Sequence, residues 1–495
     1  MRILLINPPL FVPKEIGLQS LDVEIPLGIL NIASVIQKNY YFVRILDCIG
    51  HEKVNIKKVK NYVRLGLSWE EIRKYIKKFN PDIVGISYKP AQFYSVTKTA
   101  KIVKEILPNT VVVIGGIGPT IKPKDFLNEH VDFIVRGEGE RAFLELVNAI
   151  FHKKDYEKIS GLFFYDQKSN LIDNGIVHID NLNALPFPAY HLINMENYFK
   201  LYKKLPSRYS LKKRVVSIIT SRGCPFDCFF CSVHLINGYI WRAYDTKYLI
   251  EQIKYLKYNY KIKNMHFEDD NLTLNKKRFQ ILLDELIKER LKINWDTPNG
   301  VRLDFLDEII IKKAKLAGCK ALTIAPESGS QRVIDEIINK KLKIKDAVKI
   351  AKLCKKFGIF LYVYFVVGLP GEKKEDIRKT LEFAYYIHKK YNIIPIIFLA
   401  NPFYGTKLYE ICKKNNFLVR EPESDDIIKG SHPRYGGLIR TKDFNPEYLK
   451  KEISNFYKKI IFLQFTKPIF LLRIILFSPS DFIRKLKKLL NFSSL

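Results

Sequence analysis

The residues best equipped for chemistry lie close together. Cys224, Cys228 and Cys231 fall within eight positions, in Ser221-Arg222-Gly223-Cys224-Pro225-Phe226-Asp227-Cys228-Phe229-Phe230-Cys231, in a chain with seven cysteines. Random placement would give such a triple about once in a thousand such chains. Thiolates are soft ligands, suited to zinc and to iron–sulfur clusters. Spacings of four and three let a loop turn all three sulfurs toward one centre. A structural zinc takes four protein ligands, a 4Fe-4S cluster normally takes four thiolates, and no fourth cysteine lies nearby. Three thiolates leave one iron open to an exchangeable ligand, which is a catalytic arrangement. The competing readings are a buried cysteine cluster or a zinc completed by His234. Cys48, Cys319, Cys354 and Cys412 stand singly in apolar patterns and read as small core residues.

A strand must deliver this loop, and the sequence supplies two series of strands. In residues 1–150, short apolar runs at Ile3–Asn7, Val43–Asp47, Ile83–Ser87, Val111–Gly115 and Phe133–Val135 alternate with helical patterns such as Ile29–Gln37 and Thr97–Leu107. Runs buried on both faces and separated by helices predict a doubly wound, Rossmann-like parallel sheet, with ligands beyond the carboxyl ends of its strands. Residues 151–190 read as an appended hairpin (Leu162–Tyr165 and Leu171-Ile172) and a proline-bearing linker, Leu185-Pro186-Phe187-Pro188. Residues 191–415 hold the second series: Val215–Ser221, Met265–Asp269, Ile293–Asp296, Ala321–Pro326, Phe360–Val367 and Ile394–Ala400. Six such units predict a partial (β/α)6 barrel, short of the eight that close a full one. Residues 416–495 read as a basic, apolar helical region.

The Cys-x₃-Cys-x₂-Cys loop, with Phe230 before its last cysteine, resembles the radical S-adenosylmethionine signature, and the resemblance runs over residues 190–410. It implies that Cys224, Cys228 and Cys231 ligate a 4Fe-4S cluster whose open iron is chelated by S-adenosylmethionine. It further implies Glu268 and Asp269 toward the methionine amine, Glu327 and Ser328 toward the ribose or carboxylate, and Gly368 beside the adenine. Asp270 and Asn271, in the same segment, read either as part of this set or as a helix cap. Gly115-Gly116-Ile117-Gly118-Pro119-Thr120 and Val135-Arg136-Gly137-Glu138-Gly139-Glu140 resemble the cobalamin-binding domain fused before many radical enzymes. That likeness implies cobalamin near Gly115, Gly116, Gly137, Glu138 and Gly139. The Asp-x-His-x-x-Gly motif of cobalt-ligating domains is missing; Asp47-Cys48-Ile49-Gly50-His51 has the wrong spacing, and His51 reads as a surface loop residue. The expected activity is modification of an unactivated carbon, with methyl transfer first and radical cyclisation or oxidative rearrangement of a tetrapyrrole or lipid second. No catalytic acid or base is singled out. A small-molecule or lipid-like substrate and an electron donor such as flavodoxin or ferredoxin complete the expectation.

Composition bounds the alternatives. A chain of 495 residues with 47% hydrophobic and 27% charged residues is globular and long enough for two or three domains. Its 83 basic and 51 acidic residues leave a net charge of +32, which invites nucleic-acid and anionic-membrane readings. An RNA-modifying enzyme would carry a further compact basic domain, but no run of short strands follows residue 410. A non-catalytic iron–sulfur module is the third class. The start is too soon broken by proline for a signal peptide, and no 18-residue uncharged apolar stretch occurs, so a cytoplasmic location is expected. From Thr441 onward, 11 basic and 4 acidic residues mix with Phe, Leu and Ile. That tail reads either as a helical element packing on the barrel or as a peripheral contact with the inner membrane face.

Overall fold

The computed structural model describes residues 1–14, 23–90, 92–204, 211, 213–423, 426 and 436–465. Strands β1 (Arg2–Asn7), β2 (Phe42–Asp47), β3 (Ile83–Tyr88), β4 (Val111–Gly116) and β5 (Phe133–Val135) pair in parallel, and β6 (Leu162–Tyr165) and β7 (Leu171–Asp173) extend the sheet as an antiparallel hairpin. Ile3, Leu4, Leu5 and Ile6 of β1 are at most 1% exposed, because helices cover both faces of a sheet built this way. The spatial order is β7-β6-β5-β4-β3-β1-β2. Connections reverse between β1 and β3, so the ligand crevice opens at their carboxyl ends.

A three-stranded antiparallel sheet, Leu10–Pro13 with Tyr62–Gly66 and Asn55–Val59, sits beside this layer and was not expected from the sequence. The segment after the hairpin is tighter than its prolines imply. Leu182, Leu185, Ala189 and Tyr190 are buried, and Ala189 donates its N–H to Leu30 of helix α1 (Leu27–Lys38). One continuous apolar core therefore runs from α1 and helix α2 (Gly139–Phe151), through this segment and helix α3 (Met195–Lys204), into the second half.

That second half is a six-stranded parallel sheet in sequence order: β8 (Val215–Ile218), β9 (Asn264–Phe267), β10 (Asn294–Asp296), β11 (Cys319–Glu327), β12 (Phe360–Val367) and β13 (Ile394–Leu399). Each strand is followed by a helix, including α4 (Lys276–Glu289) and α5 (Lys374–Tyr391). In β12, Leu361, Val363, Phe365 and Val367 are buried while Tyr362, Tyr364 and Val366 are half-buried. Phe365 meets Phe383 of α5, so the buried set faces the helices and the tyrosines face the concave side. The six strands thus form an open partial barrel with a concave face that six units leave unclosed. Helix α6 (Pro446–Phe465) packs at its far edge, where the Tyr457 hydroxyl accepts the Ile397 N–H at 3.1 Å. Residues 466–495, which carry most of the apolar, basic tail, lie outside the described residues.

Candidate functional site

The cysteine loop leaves the carboxyl end of β8 and is fixed by carboxylates at the end of β9. Asp269 accepts the Thr220 N–H at 3.1 Å, the Thr220 hydroxyl at 2.6 Å and the Ser221 hydroxyl at 2.5 Å. Asp270 accepts the Gly223 N–H and the Asn237 amide, each at 2.8 Å. Burial pushes both carboxyls up, and these donors pull them back. Arg278 of α4 adds a bond to the Thr220 carbonyl at 2.8 Å. Gly223 has φ +85°, and a Cβ there would lie 2.3 Å from the Ile240 carbonyl oxygen, so the turn into Cys224 admits glycine alone. The expectation that Asp269 faces the methionine amine is therefore corrected: its carboxylate is taken up in holding the loop. Asp270 does the same, and neither it nor Asn271 caps α4, whose N-cap is Asn275.

Past this anchor the three thiols are half-buried and none forms a disulfide. The Asn271 amide donates to the Cys224 sulfur at 3.7 Å, and the Cys231 N–H donates to the Cys228 carbonyl at 2.9 Å. Burial first, then neighbouring charges including the other loop thiols, raises Cys228 and pushes Cys231 up to about 12. Thiols that hinder one another's ionisation are stabilised by a shared positive centre. No three His, Cys, Asp or Glu side chains among the described residues stand close enough to clasp a single ion. His234 stacks on Tyr239 with ring centroids 4.4 Å apart and lies 4.0 Å from Asp227. This soft, half-open donor set fits an iron–sulfur cluster. Phe230 packs edge-on against Phe229 beside it.

Four further candidates sit at neighbouring strand ends. The Glu268 carboxylate accepts the Ser217 hydroxyl at 2.6 Å on the concave side. Glu327 ends β11 with φ +70°, a left-handed backbone that a non-glycine residue keeps only under outside constraint. Its carboxylate pairs with Lys340, which also donates to the Ala325 carbonyl at 2.7 Å. Lys340, missed by the sequence reading, also eases the ionisation of Cys228. Ser328 is corrected: its hydroxyl meets the Thr380 hydroxyl of α5 at 2.9 Å, on the helical side of the barrel.

Gly368, with φ +89°, forms the turn after β12. Its N–H and that of Leu369 donate to Glu372 at 2.7 Å each. Burial pushes the Glu372 carboxyl up to about 8 from 4.5, against those two donors. The folded chain then keeps a proton that the unfolded chain loses, so this group's contribution to stability falls as pH rises from 4.5 to about 8 and is level above it. Thermal melts across that window should slope downward, and Glu372→Gln should flatten the slope. An unchanged slope would discount this carboxyl.

In the first half, Gly116 has φ +124° and Gly137 has φ +86°; a Cβ on either would lie 2.3 Å from a backbone carbonyl, that of Tyr88 or of Val177. Gly115 is looser, its nearest neighbour 3.6 Å away. Gly139 opens α2 beneath Ile32. Glu138 is corrected too. Its carboxylate receives both Arg242 nitrogens at 2.9 Å and the Ile179 N–H at 2.7 Å, so it joins the halves of the chain. At the crevice itself, Asn7 donates to Asp47 at 2.8 Å, Gln92 donates to the Pro8 carbonyl at 2.6 Å, and the Tyr198 ring lies against Gly50.

A parallel sheet with a strand-order reversal, clasped to an open six-stranded barrel with a three-cysteine loop, defines a two-cofactor radical enzyme architecture. The Radical SAM superfamily model matches residues 218–384 and the B12 binding domain model matches residues 16–147. An uncharacterized methyltransferase, PH0819, of Pyrococcus horikoshii is 31% identical over 462 residues, covering 92% of each chain. Cytidylyl-2-hydroxyethylphosphonate methyltransferase of Streptomyces wedmorensis is 29% identical over 430 residues, 80% of this chain and 79% of that one. The fold is shared with TsrM, a radical S-adenosylmethionine methyltransferase from Kitasatospora setae solved with cobalamin and a [4Fe-4S] cluster, at TM-score 0.67 and 16% identity over 85% of this chain and 79% of that one. The chain belongs to the cobalamin-dependent radical S-adenosylmethionine enzymes. The cofactors of that family are S-adenosylmethionine, a 4Fe-4S cluster and cobalamin. No helix among the described residues is long and apolar enough to cross a membrane.

Proposed function

We propose that this enzyme transfers a methyl group to an unactivated carbon of a small molecule. The observation that carries the reading is the joining of the cysteine loop to a carboxyl-end loop of the first sheet through Glu138, Glu140, Arg222 and Arg242, which would set the two cofactors near each other. Two relatives bearing the name methyltransferase support it. Cys224, Cys228 and Cys231 would hold three irons of the cluster, which when bound supplies the electron that cleaves S-adenosylmethionine reductively. Glu327 and Lys340 offer one charge of each sign beside the loop, suited to the ammonium and carboxylate of a bound amino acid. Glu268 presents a carboxylate on the same concave side. Tyr362, Tyr364 and Val366, with Ile396 and Phe398 of β13, form the half-buried wall that would exclude water from a substrate carbon. Gly115 and the loop around Gly137 would border cobalamin without a protein histidine.

Anaerobically reconstituted, cobalamin-loaded protein should convert S-adenosylmethionine to 5′-deoxyadenosine and, with its own substrate, also to S-adenosylhomocysteine. Deoxyadenosine with a modified substrate but no S-adenosylhomocysteine would favour ring closure or oxidative rearrangement. Neither product under strong reduction would leave only a binding module. The electron is proposed to come from a flavodoxin or ferredoxin. Peripheral membrane contact rests on the sequence of the tail alone; equal sedimentation on anionic liposomes by the full chain and one ending at Tyr448 would dismiss it.

A further inference from the structure

Arg222 immediately precedes Gly223-Cys224, and it pairs directly across a two-stranded antiparallel ribbon with Arg242. Two like charges opposite each other destabilise such a ribbon, and here both side chains are at most 8% exposed. The compensation comes from the other half of the chain. Glu138 stands at the N-cap position of α2 and Glu140 in its first turn. Arg242 grips Glu138 with two bonds of 2.9 Å. Arg222 meets Glu140 at 2.7 Å and Glu138 at 3.4 Å.

The connections continue on either side. Arg242 donates to the Asn237 carbonyl at 2.8 Å, and the Asn237 amide reaches Asp270, which also holds the Gly223 N–H. Glu138 lies between Gly137 and Gly139, and the Gly137 N–H is held by the Thr120 hydroxyl at 2.9 Å. One bonded path thus joins the loop after β5 to the turn that aims Cys224.

We infer that Glu138, Glu140, Arg222 and Arg242 are positioning residues that fix the cysteine loop at a set distance from the cobalamin-binding half. The ribbon carrying Arg222 is incomplete without the carboxylates of α2. The distance between cofactors rests on the function proposed above; the dependence of the ribbon on α2 does not.

The test compares the full chain with Glu138→Gln, which leaves Arg242 short of counter-charge, and with Glu138→Leu/Arg242→Met. The double variant removes the pair together, and such replacements commonly keep a protein folded. The first readout is amide hydrogen exchange, without cofactors, in peptides covering 221–224 and 240–244. Exchange there should rise about tenfold or more in Glu138→Gln, equivalent to about 1.4 kcal/mol of lost local protection, and less in the double variant, which also removes one of the two facing arginines, while peptides from β1 and β12 stay unchanged. The second readout is pulsed electron paramagnetic resonance between reduced cluster and cob(II)alamin in loaded protein. The wild type should give one narrow distance distribution, and the double variant a broadened one at equal iron and cobalamin content. Unchanged exchange in the ribbon overturns the inference, as does an unchanged distribution. A wild type that loads no cobalamin or cluster overturns the functional reading instead, and the exchange measurement still decides the clasp.

Discussion

Replacing Cys224, Cys228 and Cys231 together by alanine should strip anaerobically reconstituted protein of its iron, from about four atoms per chain to none, with loss of the broad visible absorbance. The chain should nevertheless stay folded. The loop is pinned upstream of the thiols by Asp269 on Thr220 and Ser221, by Asp270 on Gly223, and by Arg278 on the Thr220 carbonyl. None of these bonds uses a sulfur. Half-buried thiols also leave only small gaps when truncated. Iron retained by the triple variant would remove the cluster from this loop. Iron lost together with the whole fold would show that the anchor described here is insufficient.

Gly137→Val should be far more damaging than Gly115→Ala, although both glycines border the crevice expected to hold cobalamin. At Gly137 the backbone is left-handed at φ +86° and the new Cβ would lie 2.3 Å from the Val177 carbonyl oxygen. Strain of that kind, added to overlap with backbone that cannot move aside, costs on the order of 3–5 kcal/mol. Denaturant melts should show it, and Gly116→Val should behave alike beside the Tyr88 carbonyl. At Gly115 the nearest atoms, both of Val135, are 3.6 and 3.7 Å away, so alanine fits. Gly115→Ala is therefore the variant that probes the ligand: unchanged stability with weakened cobalamin retention would put Gly115 at the site. Full retention would remove it.

The strands were legible because burial on both faces leaves uninterrupted apolar runs such as Ile3–Ile6 and Val111–Ile114. The cysteine loop was legible because its spacing is rare. The small sheet containing Asn55–Val59 was hidden: Asn-Ile-Lys-Lys-Val is almost wholly exposed and shows neither an apolar run nor a clear alternation. Arg222, Arg242 and Glu140 escaped notice for a different reason. A charged residue in sequence reads as solvated, and what makes these four charges a unit is partners 82 and 104 positions away. Glu138 was marked, but as a ligand contact, because its flanking glycines resemble a cofactor loop. Ser328 was expected beside Glu327 from the resemblance alone, but the end of β11 is irregular: its pairing with β12 shifts between Ile324 and Glu327 and Glu327 is left-handed, so strand alternation does not foretell the contact of Ser328 with Thr380.

The separation of the clasp's partners along the chain bears on how the protein is made. Glu138 precedes Arg242 by 104 residues, which is roughly 5–20 s of synthesis at ordinary ribosomal rates. The first sheet, whose strands pair mostly with near neighbours, can close while the second half is still emerging. Its two carboxylates are therefore synthesised before the ribbon whose arginines they neutralise. A circularly permuted chain that produced the barrel first would expose Arg222 and Arg242 side by side with no counter-charge, and its nascent form would be the more prone to misassembly.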